Sequence, residues 1–235
     1  MWNYYMENII PQKTGLEVEK LISDVMPDKS VFETLKPSLI SFPGIYDNFC
    51  VGMVDIVNST KITARLTTEK ACKYYSIFLN SMASVVSQAG GRIIKNVGDS
   101  LLYYFQIQKE KSLETVFEKV IECGMLMLDE RTSINILMQY EDLPRVNYRV
   151  SYDYGMVTIA KDVDSERQDI FGPPVNMCSK INRFAKPNEM VVGGDMYEIT
   201  KSSKEYIFKE VKTCSADFKF SYPIYSVQKH PNKMF

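Results

Sequence analysis

Histidine is almost missing from this 235-residue chain, which contains a single one, His230, close to its end. A histidine general base, a nucleophile–histidine triad and a histidine-ligated metal are therefore disfavoured as the basis of any activity. Chemistry in this protein has to come from carboxylates, lysine, arginine, asparagine and bound metal ions.

Cysteine is scarce and scattered, and long apolar runs are missing. The five cysteines are odd in number and form no CxxC pair, so the sequence indicates neither a disulfide framework nor a zinc site, and a reducing compartment fits. No apolar stretch reaches the length of a membrane span, and the first residues lack the charged-then-apolar order of a signal peptide. We therefore expect a cytoplasmic protein that has no membrane partner.

An excess of basic residues is missing as well. The chain has 28 Lys and Arg against 29 Asp and Glu, and without a positive field it is a poor candidate for binding nucleic acid. The apolar fraction of 45% and the length indicate one large globular domain with a small appendage. We predict a helical leader over residues 1–45, a main domain over 46–229 and a tail over 230–235.

What the sequence does contain is a strand–helix–strand–turn–strand pattern across residues 49–105. Two apolar, β-branched runs each carry one carboxylate, Asp55 in the first and Asp99 in the second. Helical spacing of apolar residues predicts a helix over 67–89 between them, and Gly98-Asp99 predicts a hairpin turn. If the helix packs the strands side by side, the two carboxylates meet at one edge of a sheet. Taken singly, each also fits an ordinary strand end or turn.

The remainder of the main domain reads as further helices and strands. Asn176, Lys180 and Arg183 would share one face of a short helix that opens at Gly-Pro-Pro, which is also the spacing of an ordinary solvated stripe. We predict a helix over 112–131, a strand pair over 146–160 interrupted near Gly155, a surface loop over 161–169, a short helix within 171–186, and strands over 190–194, 205–211 and 218–228.

Three segments in this order resemble the class III adenylate/guanylate cyclase catalytic domain. They are MVDIVNST at 53–60, IIKNVGDSLLYYF at 93–105 and DIFGPPVNMCSK at 169–180, and the resemblance spans about residues 48–228. One such segment is weak, but three ordered segments form a specific signal. The resemblance implies an α+β fold, with a ferredoxin-like βαββαβ core extended by a further α/β portion.

The first two segments carry the residues that the resemblance assigns to metal. It implies that Asp55 and Asp99 hold two divalent ions, Mg²⁺ or Mn²⁺, with the backbone carbonyl of Ile56 as a further ligand. Two hard cations held by carboxylates suit phosphate chemistry and need no histidine. Thr60 matches the family pattern near the triphosphate, whereas Asn58 and Ser59 stand where the family usually has Gly and Phe.

The resemblance also implies residues that bind the nucleotide. Lys95 and Asp169 would read the purine edge, as a pair associated with adenine, and Asn176 would orient the ribose and the transition state. The family normally has Arg where this chain has Lys180, so we expect slower turnover, with Arg183 one turn further as a substitute. A lysine for the triphosphate could be Lys219 or Lys212.

These residues together predict an adenylate cyclase that converts ATP to 3′,5′-cyclic AMP and pyrophosphate. The resemblance implies a head-to-tail homodimer, in which the metal carboxylates come from one subunit and the Lys, Asp and Asn come from the other. Two alternatives stay open. One is a cyclase for GTP or a pyrimidine triphosphate, and the other is a degenerate domain that binds a nucleotide or a partner without turnover.

Overall fold

The computed structural model describes residues 40–44, 46–107, 113–162, 168–214 and 222–231. The chain divides into two units, Met1–Ser41 and Phe42–Phe235, and the second unit holds the predicted domain. The predicted leader lies almost wholly outside the described residues, so its helix stays a prediction. Of the first unit, only a two-residue strand is described, β1 at Ile40–Ser41.

The second unit alternates strands and helices. Its strands are β2 (Tyr46–Ile56), β3 (Arg92–Val97), β4 (Ser100–Gln106), β5 (Tyr148–Asp162), β6 (Gln168–Phe171), β7 (Met190–Gly193), β8 (Tyr206–Cys214) and β9 (Tyr222–Lys229). Its described helices are α1 (Ser59–Thr63), α2 (Thr68–Gln88), α3 (Leu113–Asp129), α4 (Arg131–Tyr140), α5 (Pro173–Asn182) and α6 (Gly194–Thr200). Among the residues described, no helix is long and apolar enough to cross a membrane.

A ferredoxin-like core organises the sheet, as predicted. The strand order β3-β4-β2-β5-β7-β9-β8 begins with four strands paired antiparallel, and these follow the chain as β2-α1-α2-β3-β4-α3-α4-β5. Beyond the core, β7 adds parallel to β5 and is followed by β9 and β8. This extension is the additional α/β portion that the resemblance implies.

Helices cover both faces of the central strands, which explains why β2 is a nearly continuous apolar run. Cys50, Val54 and Ile56 point toward the core under α2 and α3. Phe49 and Val51 point to the opposite face, because successive side chains of a strand alternate. That second face is covered by α5, whose Cys178 packs in the same cluster.

The predicted helix over 67–89 and the predicted hairpin are both confirmed. In α2, Phe78, Met82 and Val86 are buried at helical spacing, and the Thr67 side chain caps the helix by accepting a hydrogen bond from the Lys70 amide. Gly98, with φ of +63°, makes the turn between β3 and β4, because glycine adopts this left-handed conformation without steric cost.

Two local predictions were wrong, and two short helices were not predicted. The expected loop over 161–169 ends in β6, which pairs antiparallel with β5, and β5 runs through position 155 without interruption. The short helices α4 and α6 were not predicted, since α4 buries only Ile134 and Met138, which is too weak a periodic signal. Pairing and packing partners, rather than local pattern, stabilise these segments.

Candidate active site

Three neighbouring strands place Ser100, Asp55 and Arg149 in one row across the sheet. Asp55 on β2 lies opposite Ser100 on β4 and opposite Arg149 on β5. The Ser100 hydroxyl donates a hydrogen bond to Asp55 Oδ1, so these side chains project from the same side. By alternation along β2, this is the side that α5 covers. The row therefore combines a carboxylate with a hydroxyl and a cation.

Asp99, the second predicted carboxylate, sits in the turn immediately before Ser100. Partial burial raises the pKa of Asp55, the Ser100 hydroxyl lowers it, the Asp99 charge raises it and the Arg149 charge lowers it. The two predicted carboxylates are thus close enough to repel each other. A cation held between them would remove that repulsion.

Arg149 is a residue of this region that the sequence analysis missed. Its Nε is buried and has no hydrogen-bond partner among the described residues, although a buried polar nitrogen normally has one. Apolar and polar residues alternate over 146–152, and Arg149 stands at one of the polar positions, so the pattern gives no signal that sets this arginine apart. A guanidinium nitrogen that has no hydrogen-bond partner can donate to an anionic ligand such as phosphate.

The predicted base-reading residues contact each other. Lys95 on β3 and Asp169 on β6 form an ion pair between Nζ and Oδ2, although they are 74 positions apart. Their side chains are 47% and 32% exposed, so both remain accessible to a ligand. The contact depends on β6, which folds back along β5 and brings Asp169 to β3.

Helix α5 presents the third group of predicted residues. Asn176 and Lys180 are exposed on it, and Arg183 at its C-terminal end lies over the Phe184 ring at 5.5 Å. The helix is fixed to the sheet by Asn182, whose side-chain amide donates to Ser151 Oγ at 3.0 Å. Asn176 and Lys180 share an exposed face of α5, whereas its buried face packs on the strands that carry Asp55 and Arg149. Arg183, the third residue predicted for that face, lies just beyond the end of the helix.

Of the remaining predicted residues, Thr60 and Ile56 lie at the edge of this region. Thr60 is exposed in α1, which follows Asn58 with φ of +60°; asparagine tolerates this conformation better than most residues. Ile56 follows Asp55 as the last residue of β2. Lys219 and the Lys212 side chain lie outside the described part of the structure.

Residues 43–226 match the family described as the adenylate and guanylate cyclase catalytic domain. The chain belongs to this family. The match covers most of the chain and includes all three segments on which the resemblance rests.

Two curated relatives carry different nucleotide names. An adenylate cyclase of Streptomyces coelicolor is 25% identical over 60% of this chain and 31% of its own length. A cytidylate cyclase of Staphylococcus aureus is 22% identical over 68% of this chain and 39% of its own length. The chain thus spans about a third of the length of these relatives, 31% and 39%, and their names leave the nucleotide of this cyclase domain open.

Solved structures support the fold. The adenylyl cyclase CyaB from P. aeruginosa superposes with a TM-score of 0.71 at 18% identity, covering 81% of this chain and 98% of that chain. A non-canonical dimeric guanylyl cyclase domain from the aquatic fungus Blastocladiella emersonii gives a TM-score of 0.67 at 16% identity, covering 79% and 98%. At these identities the likeness concerns the fold alone.

The acidic residues of this cyclase domain suit a divalent cation that takes its remaining ligands from water and substrate. Among the described residues, no three His, Cys, Asp or Glu side chains gather into a group that could enclose a metal. Mg²⁺, however, is usually held by one or two carboxylates together with water and substrate phosphates. Asp55 and the neighbouring Asp99 supply two carboxylates of this kind at adjoining strand ends.

Proposed function

We propose that this cyclase domain converts ATP to 3′,5′-cyclic AMP and pyrophosphate. The observation that carries the proposal is the row across β4, β2 and β5, which sets Asp55 beside Arg149 with Asp99 in the adjoining turn. In this proposal the row supplies carboxylates for cations and a guanidinium for phosphate oxygens at one end of three interior strands. This is the charge arrangement that a metal–triphosphate complex needs.

The proposed roles follow from what each side chain can donate or accept. Asp55 and Asp99 would hold two Mg²⁺ or Mn²⁺ ions, which when bound lower the pKa of the ribose 3′-hydroxyl and neutralise phosphate charge. Arg149 would bind phosphate oxygens through its guanidinium. Asn176 would orient the ribose so that the 3′-oxygen attacks the α-phosphorus in line with the leaving pyrophosphate, and Lys180 would offset the charge that develops there.

Base recognition rests on the contact between Lys95 and Asp169. Lysine can only donate hydrogen bonds and an ionised aspartate can only accept them. The adenine edge offers a ring nitrogen that accepts next to an amino group that donates, so the pair is complementary to it. In the structure the two side chains are already adjacent, which means that a base entering between them exchanges their ion pair for two hydrogen bonds.

Cytidine triphosphate is the second candidate substrate. Cytosine also presents a ring-nitrogen acceptor beside an amino donor, so Lys95 and Asp169 alone would accept it. The relative named cytidylate cyclase favours this candidate specifically. Discrimination between the two bases would then depend on the size of the base pocket rather than on the ion pair.

We further propose that the complete site forms between two copies of the chain arranged head to tail. One copy would supply Asp55 and Asp99, and the other would supply Lys95, Asp169 and Asn176. A dimeric cyclase domain among the solved structures of this fold supports two-copy assembly. A homodimer of this kind contains two equivalent sites.

The test is a comparison of four nucleotides on purified protein. We expect Mn²⁺ with ATP to give 3′,5′-cyclic AMP, identified by mass spectrometry, at a rate well above those with CTP, GTP and UTP. Asp99→Ala should abolish the product, whereas Asp129→Ala, which removes a surface ion pair with Lys229, should leave the rate within about twofold because such pairs contribute little.

Each of the remaining outcomes would contradict a different part of the proposal. A higher rate with CTP would replace adenylate by cytidylate activity while keeping the metal residues. Equal product from the wild type and Asp99→Ala would contradict the metal assignment. Nucleotide binding without any cyclic product would favour a degenerate binding module. Unchanged turnover in Arg183→Ala would exclude Arg183 as the substitute for the usual arginine.

A further inference from the structure

Ser100 carries a buried hydroxyl beside the proposed metal site, and the proposed mechanism gives this hydroxyl no role. It is the first residue of β4 and is 8% exposed. Its register partner on β2 is Asp55, and its hydroxyl donates to Asp55 Oδ1. The contact joins positions 45 residues apart, so it exists only when β2 and β4 are paired.

We propose that Ser100 is a positioning residue that fixes the Asp55 carboxylate in the orientation that binds a divalent cation. This inference rests on the proposed function and names a further residue of the same site. A serine hydroxyl has one proton to donate, and here it is directed at Oδ1. The bond restricts rotation of the carboxylate and leaves Oδ2 and the remaining lone pair of Oδ1 for the ion.

The position of Ser100 in the chain makes the hydroxyl a rigid support. It directly follows Asp99, the second proposed ligand, and it is paired with Val97 across the hairpin as well as with Asp55. A single backbone segment therefore places one ligand and orients the other. Outer hydrogen bonds that orient metal ligands typically change metal affinity by about 10–100-fold when they are removed.

The experiment measures Mn²⁺ binding to the full chain, using electron paramagnetic resonance of free Mn²⁺ without nucleotide. We expect Ser100→Ala to raise the Kd for Mn²⁺ by about 10–100-fold, and Ser100→Thr, which keeps the hydroxyl, to restore an affinity within about threefold of the wild type. The matched control is Ser226→Ala, since Ser226 is another buried strand serine whose hydroxyl bonds the Lys209 carbonyl instead. Its Mn²⁺ affinity should not change.

The outcomes separate this inference from the proposed function. If Asp99→Asn loses Mn²⁺ affinity and Ser100→Ala does not, the inference about Ser100 is wrong and the metal site stands. If neither variant loses affinity, the metal assignment itself is wrong and both proposals fall. Should Ser100→Ala not fold, as judged by its thermal midpoint, Ser100→Cys has a similar size and a weaker donor, and a smaller loss of affinity in the same direction is expected from it.

Discussion

The stability of this cyclase domain should depend on pH through one buried carboxyl group. Asp153 on β5 is 3% exposed, and its Oδ1 accepts a hydrogen bond of 2.6 Å from the Tyr222 hydroxyl. Gly193 leaves room for this contact, because a Cβ at that position would lie 2.2 Å from Asp153 Oδ1. Burial is the main cause that raises the pKa of Asp153, which reaches about 8.

The sign and size of the effect follow from proton linkage. The unfolded Asp153 has a pKa near 3.8, so between pH 4 and 8 the folded protein holds a proton that the unfolded chain has released. The free energy of unfolding therefore falls as pH rises through this interval, by about 1.4 kcal/mol per pH unit until the fall levels off near the folded pKa. From pH 6 to pH 8 the expected loss is about 2 kcal/mol.

The assay is urea unfolding at pH 6, 7 and 8 and fixed protein concentration, followed by circular dichroism and extrapolated linearly. Asp153→Asn stays neutral at every pH, so its unfolding free energy should fall by about 2 kcal/mol less than that of the wild type between pH 6 and 8. Tyr222→Phe removes a hydroxyl that lowers the pKa of Asp153, so in that variant the fall should continue above pH 8. Identical pH dependence in wild type and Asp153→Asn would refute the reasoning.

Three further predictions concern turnover, assembly and packing. Lys180→Arg should raise kcat by about tenfold or more with little change in KM, because a guanidinium supplies two directed donors to the transition state; an unchanged kcat would show that Lys180 suffices. Mixing Asp99→Ala with Asn176→Ala should restore about a quarter of the wild-type rate, since half of randomly formed dimers then hold one intact site; no recovery after subunit exchange would contradict a shared site. Gly52→Ala should lower the free energy of unfolding by about 1–3 kcal/mol in urea titrations, because the added Cβ would lie 2.3 Å from the buried Tyr103 ring. An unchanged urea midpoint would show that the ring can move.

Local periodicity was a good guide where an element buries one regular face. The helix over 67–89 and the hairpin around Gly98 were both predicted from spacing and turn chemistry. The same method failed for β6, because its four residues, Gln168–Phe171, are too few to show a period and form a strand only by pairing with β5. It failed for α4 because that helix buries two residues, and periodicity needs a longer stripe to be recognised.

The sequence by itself determined which residues are candidates for the chemistry: the single histidine disfavours one large class of mechanisms, and the three ordered segments indicate the carboxylates, Lys95, Asp169 and Asn176 as candidates. Only the tertiary structure decided which side chains lie next to these candidate residues. Asp55 gains Ser100 and Arg149 as neighbours through strand register, which depends on hydrogen bonds between segments 45 and 94 positions apart. Asp153 likewise gains its hydrogen-bond donor only because β9 brings Tyr222 to it. Pairing across such distances is a property of the whole sheet, because a shift of one residue in register would turn every one of these side chains to the other face.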